Sequence, residues 1–118
     1  MFVKDKNQAE LFDKGNVKVW EYHGSNKLDV ALSQIKGKYP VNSKWAVNSE
    51  CDMMYIVKSG IGIIYFKDKN EGFKIKEDSV VLIPKATPYR VKVTSDKLIV
   101  WMPSSPAWSP TQYKGLDE

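Results

Sequence analysis

The chain has 118 residues, 42% of them hydrophobic and 27% charged, with a formal net charge of +4 at pH 7. That length supports one domain with a sizeable core, residues 1–118, and the spread of apolar residues along the whole chain excludes bulk disorder. No stretch approaches the roughly 18 to 20 consecutive apolar residues of a membrane helix, so no membrane is expected as a partner. The start, Met1-Phe2-Val3-Lys4-Asp5-Lys6, turns polar at once and lacks the apolar core of a secretory signal, which makes a cytoplasmic location the expectation. Of the 18 basic residues only Arg90 is an arginine, and the lysines stand singly along the sequence. Base readout favours arginine and phosphate tracking favours a clustered stripe, so no nucleic acid is expected either.

In chain order, a short helix is expected near Asn7 to Phe12. Val17 to Tyr22 then alternates with β-branched and aromatic residues, and His23-Gly24-Ser25-Asn26 supplies turn chemistry. A second strand, Leu28 to Lys36, ends at Gly37 and Tyr39-Pro40. Further strands are expected over Ser43 to Asn48, Met53 to Lys58 and Ile61 to Lys67, with Ser59-Gly60 turning between the last two. Asp68 to Gly72 is a hairpin tip, followed by strands over Phe73 to Lys76, Ser79 to Ile83, Tyr89 to Val93 and Leu98 to Met102. Short strands at this spacing, punctuated by Gly, Pro and Asn, specify an antiparallel sandwich or barrel with its core over residues 17–102. The tail, residues 103–118, is rich in Pro and Trp and reads as a brace or lid on the barrel, since proline presets extended backbone and tryptophan brings large apolar area. The lone Cys51 has no Cys or His at a metal-ligand spacing and reads as a partly buried small apolar residue.

Two segments sharpen the fold. Tyr55-Ile56-Val57-Lys58-Ser59-Gly60-Ile61-Gly62 and Lys76-Glu77-Asp78-Ser79-Val80-Val81-Leu82-Ile83-Pro84-Lys85-Ala86-Thr87-Pro88-Tyr89 resemble, in order and separation, the two motifs of the cupin superfamily. Lys36 to Pro40, Trp45 to Asn48 and Ser105 to Pro110 look like pieces of its short single-domain members. The resemblance implies an all-β, antiparallel jelly-roll barrel and a homodimer. It also implies that metal-ligand positions fall on Ala46, Asn48, Met53 and Tyr89. None of these is a strong metal ligand, so the expectation is a cupin with no metal and no cofactor. Asp78 stands where the family has glycine, and Asp tolerates left-handed backbone better than most residues.

Strand alternation puts Met53, Tyr55 and Val57 on one inward face and Tyr89, Val91 and Val93 on another, with Asn48 inward on the preceding strand. Asn48, Met53, Tyr55 and Tyr89 are therefore the candidate contacts for a small organic molecule, a carbohydrate among them, held inside the barrel. Met53 and Tyr89 serve equally well as filler where a metal would sit. Two other functions fit the residues: a metal-free isomerase or epimerase with Tyr89 as proton donor and Asp52 or His23 as base, and a structural dimer packed shut. His23, at a hairpin tip, reads more readily as a solvated residue. On the outer face, Met54 and Ile56 need cover from the N-terminal segment, the tail or a second subunit.

Overall fold

The short alternating runs become two antiparallel sheets in a computed structural model that describes residues 1–118. The strands are β1 (Glu10–Asp13), β2 (Val17–Glu21), β3 (Asp29–Ile35), β4 (Lys38–Tyr39), β5 (Trp45–Asn48) and β6 (Asp52–Ser59) in the first half. The second half supplies β7 (Gly62–Phe66), β8 (Gly72–Ile75), β9 (Val80–Ile83), β10 (Tyr89–Val93), β11 (Leu98–Ser105) and β12 (Tyr113–Leu116). One sheet runs β1-β2-β3-β11-β6-β9; the other runs β12-β5-β10-β7-β8, with β4 also on β10. From β8 onward successive strands alternate between the sheets, and the crossovers β5–β6, β6–β7 and β8–β9 to β11–β12 give the arrangement expected of a jelly roll.

The sheets close on an apolar interior. Val17, Ile35, Met53, Tyr55, Val57, Leu98 and Val100 enter it from one side, and Ala46, Ile64, Ile75, Tyr89, Val91 and Val93 from the other. Leu98 and Val100 are wholly buried, and each such side chain is worth roughly 1.5 to 3 kcal/mol of transfer free energy. Two turns hold β6 in place. Gly60 has φ +94, and any Cβ there would run into the Lys97 carbonyl oxygen, so only glycine lets the two chain segments approach. Asp78 does adopt left-handed backbone, φ 71, and its N–H donates to the Val57 carbonyl at 3.0 Å.

Three features depart from the sequence reading. The helix expected near Asn7 to Phe12 is a single 3-10 turn, Lys6–Gln8, followed by β1. Residues Glu10 to Asp13 pair with Lys18 to Glu21, and a ladder satisfies backbone groups that an isolated helical turn leaves open. Residues 103–118 are more than a brace. Strand β11 continues to Ser105, a 3-10 turn forms at Pro110–Gln112, and β12 adds an edge to β5. The pair Lys38–Tyr39 is a third unexpected strand, with Tyr39 opposite Val91. No helix is long and apolar enough to cross a membrane.

The outer face of the first sheet remains apolar. The N-terminal segment reaches one end of it, where Lys6 Nζ lies 4.0 Å from the Trp20 ring centroid and Lys4 Nζ donates to the Tyr22 carbonyl at 2.8 Å. At the other end Met54, Val80 and Leu82 stay 39%, 60% and 58% exposed.

Candidate functional site

The interior is dominated by tyrosines. Tyr55 of β6 and Tyr89 of β10 come from opposite sheets and meet hydroxyl to hydroxyl at 3.1 Å, with their rings edge to face at 5.7 Å. The Tyr39 ring of β4 lies 6.2 Å from that of Tyr89, and its phenol is near enough to those of Tyr89 and Tyr113 to feel both. Burial, reinforced by the neighbouring phenols, pushes Tyr39, Tyr55 and Tyr89 above the ordinary phenol value. At neutral pH all three are therefore neutral hydroxyls, able both to donate and to accept. The sequence reading placed Tyr55 and Tyr89 but missed Tyr39 and Tyr113. Tyr39 sits opposite inward-facing Val91 and Tyr113 opposite inward-facing Asn48, relations that only strand register supplies.

Asn48 and Met53 are buried beside this cluster. The Trp108 indole N–H donates to Asn48 Oδ1 at 2.7 Å, which orients the amide and leaves its NH₂ group and one oxygen lone pair available. Gln112 donates through Nε2 to the Ala107 carbonyl at 3.0 Å, while its Oε1 is buried without a partner. That acceptor belongs to the turn whose carbonyl caps Ser49 N–H at 3.1 Å, next to Asn48. Cys51 is fully buried nearby, and burial pushes its thiol up.

The same inner face of the first sheet holds two carboxyls that the sequence reading passed over. Glu21 and Asp29 are 9% and 7% exposed. Glu21 accepts the His23 backbone N–H at 2.9 Å and Asp29 accepts that of Gly24 at 2.7 Å. Burial, then the hydrogen bond shared with Asp29, pushes the Glu21 carboxyl up to about 7. In register, Asp29 faces Ser104, which faces Met53, so the acid pair lies two strands from the Met53 position. The signal was present: Glu21 has the parity of Val17 and Val19, which point into the barrel.

Neither base proposed from the sequence reaches the interior. Asp52 is exposed, on the opposite face of β6 from Met53, and accepts the Lys85 N–H at 2.9 Å. His23 pairs with Glu10 at 2.7 Å, with more than half its side chain exposed. Tyr89 thus has neither as a proton acceptor, because period-two alternation sends Asp52 outward and the β2–β3 loop keeps His23 in solvent. Ala46, Asn48, Met53 and Tyr89, where the sequence resemblance implied metal-ligand positions, carry no imidazole or carboxylate, and no three His, Cys, Asp or Glu side chains converge in the chain. The donor set does not fit iron, manganese or zinc.

An apolar groove opens between the edges of β8 and β9. It has a volume of about 440 Å³ and runs from Ile64, Phe66, Phe73, Ile75 and Val81 to Val80 and Leu82 on the outer face, with Lys74 and Ser79 also in its wall. Phe66 is the cross-strand neighbour of Tyr89 and Val81 that of Tyr55, so one residue of each strand separates the groove from the two buried tyrosines.

This architecture recurs among solved structures. A tyrosine-to-phenylalanine variant of Streptomyces Pac13 with uridine superposes with a TM-score of 0.83 at 15% identity, covering 99% of this chain and 91% of that one. Pac13 is described as a unique nucleoside dehydratase. KdgF from a Halomonas species gives 0.75 at 11% identity, over 91% of this chain and 94% of that one. An RmlC-like cupin from Shewanella frigidimarina gives 0.74 at 14% identity, over 92% and 93%. The fold is the cupin barrel. No protein-family model matches the sequence, and no curated protein does.

Proposed function

We propose that the protein binds a small, uncharged, hydroxyl-bearing organic molecule between its sheets, without a metal, and that nucleosides are the first class to test. The observation that carries this reading is the convergence of Tyr39, Tyr55, Tyr89 and Tyr113 with the Asn48 amide in an otherwise apolar interior. Phenol hydroxyls suit sugar hydroxyls and base carbonyls, and the apolar side chains around them suit a planar ring. The unpartnered Gln112 Oε1 adds an acceptor that a ligand donor would satisfy. Pac13, solved with uridine, supports the choice of class. Solved Pac13 structures include tyrosine and histidine variants with uridine; this barrel has interior tyrosines but no interior histidine.

The test is titration of uridine and a panel of nucleosides and free sugars, followed by ligand-observed NMR. Tyr89→Phe and Asn48→Ala should each weaken binding about tenfold, the value of one hydrogen bond lost to a buried group. Unchanged affinity in both variants, with the fold intact, would remove the assignment.

A second reading, acid–base catalysis on the same ligand, is favoured by the Glu21 carboxyl near 7. A group titrating there takes and returns a proton at working pH. Glu21→Gln should then leave binding intact and abolish turnover. A homodimer through the outer face of the first sheet, with Met54, Ile56, Val80 and Leu82 at the contact, belongs to the same proposal.

A further inference from the structure

Lysines that stand singly in the sequence are gathered by the fold on the outer face of the second sheet. Lys38 on β4 sits directly opposite Lys92 on β10, and Arg90 shares their face two residues away. Lys44 adjoins from the residue before β5. Together with Ser43 and Tyr65 they line a pocket of about 650 Å³ whose wall contains no carboxylate.

Arg90 is held there by rings rather than by an acid. Its guanidinium lies 4.4 Å from the Trp45 ring centroid and 4.7 Å from that of Tyr65, its cross-strand neighbour. Stacking fixes the plane of the fork and leaves its N–H edges free. The chain's two ion pairs are Lys18–Asp13 and His23–Glu10, so all four cations of the pocket are unpaired. The acids nearest in register are Asp117, after Leu116 opposite Trp45, and Glu71, before Gly72 opposite Tyr65, and neither lines the pocket. Like charges directly opposed on adjacent strands repel, and Lys38 and Lys92 are so opposed. An anion between them converts that repulsion into attraction.

We propose that this pocket binds a small organic phosphate, seated on the Arg90 fork and flanked by Lys38, Lys44 and Lys92. A phosphate ester carries close to two negative charges and three strong acceptor oxygens, which matches a fork plus several ammonium groups better than a single carboxylate does. The pocket's volume is that of a small-molecule site, and its cations surround one concavity rather than tracing a stripe. The pocket shares Tyr39, Val91 and Val93 with the barrel wall, but its cations stand on the outer face of the sheet, and this reading does not depend on the one proposed for the interior.

The experiment is titration of the whole chain with pyrophosphate at low salt, followed by calorimetry and backbone amide shifts. Saturable binding is expected, with shifts confined to β4, β10 and the segment from Ser43 to Trp45. Arg90→Lys keeps the charge but not the fork, and should weaken binding about tenfold or more. Lys92→Gln should weaken it severalfold, and circular dichroism checks that both variants keep the fold. The proposal fails if there is no saturation by roughly 10 mM, a concentration at which even weak specific sites fill. It fails too if shifts spread evenly to lysines against the other sheet, such as Lys4, Lys6 and Lys58, or if folded Arg90→Lys and Lys92→Gln bind as tightly as the parent. A single-stranded oligonucleotide of about 12 nucleotides that bound a hundredfold more tightly than pyrophosphate would also overturn it, in favour of a polymer.

Discussion

Replacing Glu21 by glutamine should change how the stability of this protein depends on pH. The carboxyl's ordinary value of 4.5 rises to about 7 in the folded chain, chiefly because it is buried and then because it shares a hydrogen bond with Asp29. A raised carboxyl favours the folded state when protonated, so its contribution is fully present below about 4.5. It is lost as pH climbs through about 7. The full shift corresponds to a ceiling of roughly 3 kcal/mol. Solvent access at the carboxyl end, and sharing of the proton with Asp29, reduce this to about 1 to 2 kcal/mol. Urea unfolding at intervals between pH 4.5 and 8.5 reads the effect. The parent should lose about 1 to 2 kcal/mol over that window relative to Glu21→Gln, or several degrees in Tm for a chain of this size. Parallel profiles for the two proteins, or a parent that gains stability relative to the variant toward pH 8, would refute the burial argument and with it the case for Glu21 as a proton acceptor.

Other perturbations test other parts of the structure. Tyr55→Phe removes one side of a buried hydroxyl pair and should cost about 1 to 2 kcal/mol in denaturant unfolding; no measurable loss would mean that the pair is not made. Gly60→Ala combines a positive φ with collision against Lys97, and should cost roughly 2 kcal/mol or more, or prevent folding. A neutral result would show that the β6–β7 turn is looser than described. Leu82→Glu places a charge on the exposed apolar face. It should convert a dimer to a monomer in sedimentation at micromolar concentration, and a parent already monomeric there would remove the dimer.

Most of the fold was legible because its signals are local. Glycine at Gly60 and aspartate at Asp78 punctuate alternating runs, and the strands between them fall within a residue or two of where alternation put them. What failed was decided by partners distant in sequence. β1 exists because β2 offers an edge, and Lys38–Tyr39 is a strand because β10 lies beside it. The candidate site divides in the same way. Tyr55 and Tyr89 were reached by counting from turns, whereas Tyr39, Tyr113 and Trp108 join them through register and tertiary contact. Asp52 and His23 were chosen for chemical type, and parity for the first and loop exposure for the second carry them outside.

Cys51 gives the barrel a built-in gauge. It is the chain's one thiol, and it is fully buried and held in its unreactive protonated form. An alkylating reagent can reach it only while that end of the barrel is open, so the labelling rate reports the frequency of opening. Any molecule that settles among the tyrosines should slow the labelling in proportion to its occupancy, and a library could be screened that way before any substrate has a name.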